Sequence, residues 1–221
     1  MKFTDIVKKD WYLYLLILVG YLFGLSVYSK LPSQIPSHWN TAGQIDNYFP
    51  RMVGVLLLPT VCLGMLILFE VLPLIDPKKY NYALFLKSHQ LFKVVFIVFM
   101  LVLYAVTILV ALGFALNVGL IVTSGIGILF MILGNYLSKI QPNYFIGFKL
   151  PWTLASDYVW KKTHRLGGWL VFLNGLLILI SGFVWPNALG AIIIVTVVLL
   201  VVVPSVYAYL IYKNHEKGHN K

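Results

Sequence analysis

Acidic residues number only seven in this 221-residue chain, cysteine occurs once, and charged side chains make up 11% of the total. The lone Cys62 cannot form an intramolecular disulfide and says little about redox compartment. The sequence has no HExxH motif, no phosphate-cradling motif, no paired carboxylates in one loop and no nucleophile–base arrangement. These absences argue against an enzyme and leave no basis for a cofactor. His38 and Asp46 in one loop suggest metal binding or pH sensing, but two candidate ligands are too few for a metal site, and structural hydrogen bonding is the favoured role. The net charge of +10 is not accompanied by any nucleic-acid motif, so direct nucleic-acid binding is not expected.

What the chain does have is apolar surface: 60% hydrophobic residues and a mean hydropathy of +0.88. A soluble domain of this length cannot hide so much, which makes this a polytopic membrane protein with an all-α fold and no room for a separate soluble domain. Runs of about 20 apolar residues match the hydrocarbon thickness. Six fit, at Trp11–Ser29, Met52–Ile75, Leu91–Gly113, Asn117–Ser138, Gly167–Val184 and Leu189–Tyr212. Backbone groups in lipid must be satisfied within the segment, so the spans are helices. The first run follows Lys8 and Lys9 and ends near Gly24-Leu25-Ser26, loosely like a signal peptide. It is as long as a full span, however, and Asp5 and Asp10 dilute its basic region, so a retained helix is expected.

The basic residues set the topology. Lys2, Lys8 and Lys9 precede the first span; Lys78, Lys79, Lys87 and Lys93 lie in or beside the second loop. Lys139, Lys149, Lys161, Lys162 and Arg165 fill the fourth loop, and Lys213, Lys217 and Lys221 the tail. Only Lys30 and Arg51 fall on the other side. Short Lys/Arg-rich loops stay in the cytoplasm, which places both termini inside. The excess positive charge also suits anionic lipid of the inner leaflet.

Within the spans, Glu70 is the only clear acid and has two readings: an ion pair with Lys93 or Lys79, or a proton or ligand site. Asn117, Asn135 and Asn174 read as interhelical hydrogen-bonding groups. Gly20 and Gly24, and the stripe Ala115, Gly119, Thr123 and Gly127, let helices approach closely, more simply within the chain than between copies. Pro59 and Pro204 lie inside spans and free carbonyls that neighbours must satisfy.

Two loops are too long and too patterned to be plain connections. In the outer one, residues 30–51, Pro32 and Pro36 impose extended backbone and Asn40 through Gly43 is turn chemistry. An ordered platform is expected there, with Trp39, Tyr48 and Phe49 as interfacial anchors. In the inner one, residues 139–166, the first half is extended and punctuated by Pro and Gly. A helix then begins near Asp157 with Thr153 or Ser156 as N-cap, lies along the inner interface and leads into the fifth span. Its Trp160 and His164 share a face.

These loops carry a resemblance. Leu31-Pro-Ser-Gln-Ile-Pro-Ser-His-Trp-Asn40, with Gly43 and Asp46, is similar to the outer-loop signature of the SdpI-type toxin-immunity family of bacterial membrane proteins. Asn143-Tyr-Phe-Ile-Gly147-Phe-Lys-Leu-Pro151-Trp152-Thr153-Leu, then Val159-Trp160-Lys-Lys-Thr-His164-Arg165, resembles its inner-loop signature. Lys149-Leu150 stands where the family pattern has Arg-Thr, which keeps the charge but loses the planar fork of arginine. The resemblance implies a non-enzymatic immunity protein of the bacterial cell membrane, surrounded by lipid and facing a secreted toxin. It also implies a receptor role in which a cytoplasmic repressor is held at the membrane. On that reading Pro32, Pro36, His38, Trp39, Asn40, Gly43 and Asp46 form the toxin-responsive outer surface. Asn143, Gly147, Lys149, Pro151, Trp152, Thr153, Trp160, His164 and Arg165 couple to the cytoplasm. The alternative is a small transporter or lipid-handling protein with a site between two three-helix halves, favoured by Glu70 and by a layout that an inverted repeat would produce.

Overall fold

A computed structural model describes residues 3–40, 43–185 and 188–219. The terminal Lys2 and Lys221, and Thr41 and Ala42 of the expected turn, lie outside the described residues. The chain is mostly helical. In order run α1 (Phe3–Ser26), β1 (Gln34–Trp39), β2 (Ile45–Pro50), α2 (Arg51–Ile75) and α3 (Leu86–Ala111). Then follow α4 (Val118–Leu137), the short α5 (Pro151–Ala155), α6 (Asp157–Val184) and α7 (Leu189–His219). Short 3-10 turns occupy Tyr28–Lys30 and Lys79–Leu84.

Five helices, α2, α3, α4, α6 and α7, are long and apolar enough to cross a membrane. Their outward side chains, such as Leu68, Val102, Ile128, Leu173 and Val201, are exposed and apolar, as a lipid-facing surface requires. The chain is thus a multi-pass membrane protein. α1 is 24 residues long but carries Lys8, Lys9 and two acids, and is not among the five. Two sequence expectations need correction. The outer loop is a β-hairpin, so the fold is not purely α-helical. The inner-loop helix does not lie apart along the interface: α6 runs without a break from Asp157 through the fifth span.

The chain forms two compact units. The first takes in residues up to Leu74 with Lys93–Gly125. Its core joins Leu13 and Ile17 of α1 to Cys62 and Leu66 of α2 and Ile97 of α3. A second cluster seats Leu31 and Ile35 of the outer loop against Val55, Tyr104 and Ile108. Gly54 makes that seat, because a Cβ there would lie 2.8 Å from the Ile35 Cβ.

Pro59 has no N–H, so the Val55 carbonyl one turn earlier lacks its helical partner. The buried Tyr104 hydroxyl donates to that oxygen at 2.9 Å. Gly24 of α1 leaves the space for the hydroxyl, since a Cβ would fall 1.8 Å from it. The helix break risked by proline is thereby repaired from a neighbouring helix. Gly20 likewise packs on Leu101, so both glycines of α1 serve contacts within the chain.

The second unit takes in Ile75–Phe92 and the residues from Ile126 onward. Here α4 and α6 cross backbone to backbone at two points. A Cβ on Gly127 would meet the Gly175 carbonyl at 2.8 Å, and one on Gly134 would meet the Phe172 nitrogen at 2.4 Å. Of the glycines in the stripe expected on α4, Gly127 is in this crossing and Gly119 is not, having nothing nearer than the Asn117 side chain. The asparagines also differ from expectation. Asn117 caps α4 by accepting from the Leu120 N–H, and Asn174 bonds back to the Leu170 carbonyl of its own helix.

Tyr104→Phe leaves the Val55 carbonyl buried without a donor and should cost roughly 1–3 kcal/mol. In a Pro59→Ala background the backbone N–H returns, and the same change should cost under about half as much. Thermal unfolding of the four purified proteins in detergent measures this coupling.

Candidate functional site

In the outer hairpin, β1 and β2 pair antiparallel with Gln34 opposite Pro50 and Ile35 opposite Phe49, and the register slips between Pro36 and Trp39. Ile35 is buried against Gly54 of α2, while Gln34 and His38 stand in solvent. Pro36 is buried and Pro32 exposed. The end of the hairpin is held by Asn40, whose side-chain oxygen accepts from the Gln44 N–H at 3.0 Å. Gly43 takes φ +75°, a backbone state that favours glycine. Arg51 closes the base, donating from Nε to the Pro32 carbonyl at 2.9 Å and standing over the Tyr28 ring.

His38 Nδ1 and Asp46 Oδ1 lie 2.6 Å apart across the strands. Both are exposed, at 66% and 41%, so the pair fixes two side chains at a solvent-facing surface rather than supporting a core. Trp39 is half-buried beside them. The sequence-expected outer residues are therefore brought together on one small hairpin.

The inner loop is folded by its own side chains. Asn143 is fully buried and uses its whole amide: Oδ1 accepts from Phe145 and Ile146, and Nδ2 donates to the carbonyls of Gln141 and Ile146. Gly147 takes φ +111°, and a Cβ there would lie 2.2 Å from His164 Nε2. That nitrogen accepts from the Phe148 N–H at 3.0 Å, while Nδ1 donates to the Trp160 carbonyl at 2.9 Å. With one ring nitrogen accepting, the imidazole is neutral and works as a backbone bridge. The Trp160 ring stacks on it at 4.0 Å and donates Nε1–H to the Ile140 carbonyl. Thr153 accepts from the Leu150 N–H and holds the start of α5. Ser156, one of the two expected caps, accepts from the Val159 N–H and begins α6.

Sequence reasoning missed two members of this arrangement. Asp76 is buried; Oδ1 accepts from the Lys78 N–H, and Oδ2 from the Tyr144 N–H at 2.9 Å and from the Tyr82 hydroxyl. Burial, with Asp76 beside it, pushes the Tyr82 phenol above its ordinary range. Asn81 donates to the Pro142 carbonyl at 2.6 Å. The second loop therefore clasps the fourth. The Asp76-Pro77 pair was the available signal, since Asp before proline favours a turn that the carboxylate can cap.

Other inner-motif residues face outward. Lys149, Pro151 and Arg165 are exposed. Trp152 is half-buried and packs edge-on against Tyr209 of α7. The motif thus divides into a hydrogen-bonded scaffold and a presented basic face.

Glu70 is buried, and its Oε2 accepts from the Tyr14 hydroxyl at 2.6 Å. Among the described residues it forms no ion pair with Lys93 or Lys79; Lys93 pairs instead with buried Asp10. Glu70, Asp10 and Lys93 are all buried, so α1, α2 and α3 each place a charged side chain in the interior of this unit.

Comparison with known proteins follows this geometry closely. Residues 139–208 match the SdpI/YfhL protein family, and residues 15–63 match a domain of unknown function, DUF1648. The first match begins at the inner loop and the second encloses the hairpin. The chain is similar to Immunity protein SdpI of Bacillus subtilis (strain 168), 27% identical over 207 residues, 94% of this chain and 97% of that protein. No solved structure matches.

Asn143→Ala orphans two loop N–H groups and should destabilise the protein by roughly 1–3 kcal/mol. Lys149→Ala removes an exposed side chain and should change stability by no more than about 0.5 kcal/mol. Thermal unfolding of both variants checks the division between scaffold and surface.

Proposed function

Because the chain resembles the SdpI-type immunity proteins through both loop motifs and nearly its whole length, we propose that it is an integral membrane immunity protein. It protects a bacterium against a secreted peptide or protein toxin. The observation that carries this reading is the near full-length similarity to a protein named for immunity. The role is non-enzymatic: binding or shielding, with no bond made or broken.

Six helices cross the membrane with both termini in the cytoplasm, α1 being the sixth. At about 1.5 Å per residue its 24 residues are long enough. Pairing of Asp10 with Lys93 also supports this, since a buried acid is tolerated near lipid when it is paired. The hairpin then faces outside, and His38, Trp39, Asn40 and Asp46 make up the toxin-responsive surface. The exposed Lys149 faces the cytoplasm, where it couples to a partner such as a repressor protein. Such coupling requires two arrangements of the helices that toxin biases differently.

The test is survival of a toxin-sensitive bacterium challenged with supernatant of the source strain and related producers. Cells expressing the protein should survive, and Trp39→Ala/Asp46→Ala at equal membrane level should fall to the level of empty-vector cells. Leu84→Ala, at an exposed position outside both motifs, should protect as the parent does. Full protection by the double variant would remove the outer hairpin from the proposal.

A further inference from the structure

Within the second unit, α4 and α6 border a cleft of about 530 Å³. Its floor is Gly134 and Gly168, where the helices touch backbone to backbone and no side chain fills the space. One wall is Asn135 and Ser138, both exposed. The other is Lys161 and Arg165, one helical turn apart on α6. Trp169 and Phe172 continue the same wall towards the apolar part of α6.

Three observations give the cleft a preferred occupant. No acidic residue lines it, and neither Lys161 nor Arg165 has an ion-pair partner among the described residues. Asp157, one turn before Lys161, does not pair with it. Polarity is also graded along α6. From Arg165 to Phe172 the helix rises about 10 Å, and the lining changes from cationic to aromatic. Finally, the volume far exceeds a bare phosphate and lies in the range of sites for drug-sized ligands. A phosphate-bearing head with an attached chain has this sequence of chemistries.

We propose that this cleft binds one anionic phospholipid, its phosphate held by Lys161 and Arg165 and its acyl chain laid along Trp169 and Phe172. Arg165 supplies a planar fork for two phosphate oxygens and Lys161 a second, mobile charge. Asn135 and Ser138 offer hydrogen bonds to the ester region. The proposal rests on the membrane setting and on the cleft, and does not depend on toxin immunity. A lipid held there would join α4 to α6 beside the inner clasp, making its stability sensitive to membrane composition.

The test titrates the purified full chain in neutral detergent with dioleoylphosphatidylglycerol and follows adducts by native mass spectrometry. One lipid per protein should be retained, and Lys161→Gln/Arg165→Gln should weaken retention at least about tenfold. Lys79→Gln/Lys87→Gln, with the same loss of charge outside the cleft, should retain it fully. Ser138→Trp fills the cleft, leaves both cations in place and should also weaken retention, which keeps the test decisive should the double variant fail to fold. Equal retention by the Lys161/Arg165 variant or by Ser138→Trp would overturn the site. Equal retention of dioleoylphosphatidylcholine would overturn its anionic selectivity. Displacement by glycerol phosphate at equal concentration would make it a site for soluble phosphates and not for lipid.

Discussion

Every backbone N–H and C=O at or below the membrane surface needs a partner, because lipid supplies none. Helices meet this internally, and the rest of the structure depends on how the exceptions are met. Where Pro59 interrupts α2, Tyr104 supplies the missing donor to Val55. Where the inner loop runs without regular structure, Asn143, Asp76 and His164 supply it. Each repair imposes a packing requirement beside it: Gly24 admits the Tyr104 hydroxyl and Gly147 admits the His164 ring. Glycines in this chain are therefore placed by polar groups as much as by helix crossings.

That constraint explains why the two loop motifs differ in kind. The outer hairpin satisfies its backbone by strand pairing, which leaves His38, Trp39 and Asp46 free to form a surface. The inner loop has no ladder, so much of its motif is consumed in folding the loop, while Lys149, Pro151, Lys161, Lys162 and Arg165 are exposed and Trp152 packs against α7. Residues that share one sequence signature thus have unlike duties. A loss-of-function variant at Asn143 or Gly147 would report on folding, whereas one at Lys149 or Arg165 would report on what meets the face.

Much of this was legible beforehand. Hydropathy located five spanning helices to within a few residues at most ends, and Ser156 was recognisable as a helix start because a hydroxyl precedes an acidic first turn. The stiff prolines and the turn at Gly43 announced an ordered outer loop, though not strands, since Pro32 and Pro36 argue against a regular ladder and the register indeed slips beyond Pro36. The polar clusters were not legible. Glu70 and Tyr14 are 56 residues apart, Asp76 and Tyr144 are 68, and Asp10 and Lys93 are 83. Periodicity within a segment carries no information about such pairs; they follow from which helices pack together. Asn117 was misread for a simpler reason: standing just before an apolar run, it has the position of an N-cap.

The functional account requires the hairpin and the inner clasp to face opposite sides of the membrane. In a Cys62→Ala background, Asn47→Cys and Lys149→Cys each introduce one exposed thiol, on the hairpin and on the inner motif. A membrane-impermeant maleimide applied to intact cells should label the Asn47→Cys protein, and should label the Lys149→Cys protein only after the membrane is opened. Labelling of the Lys149 variant in intact cells, or of the Asn47 variant only after lysis, would contradict the account.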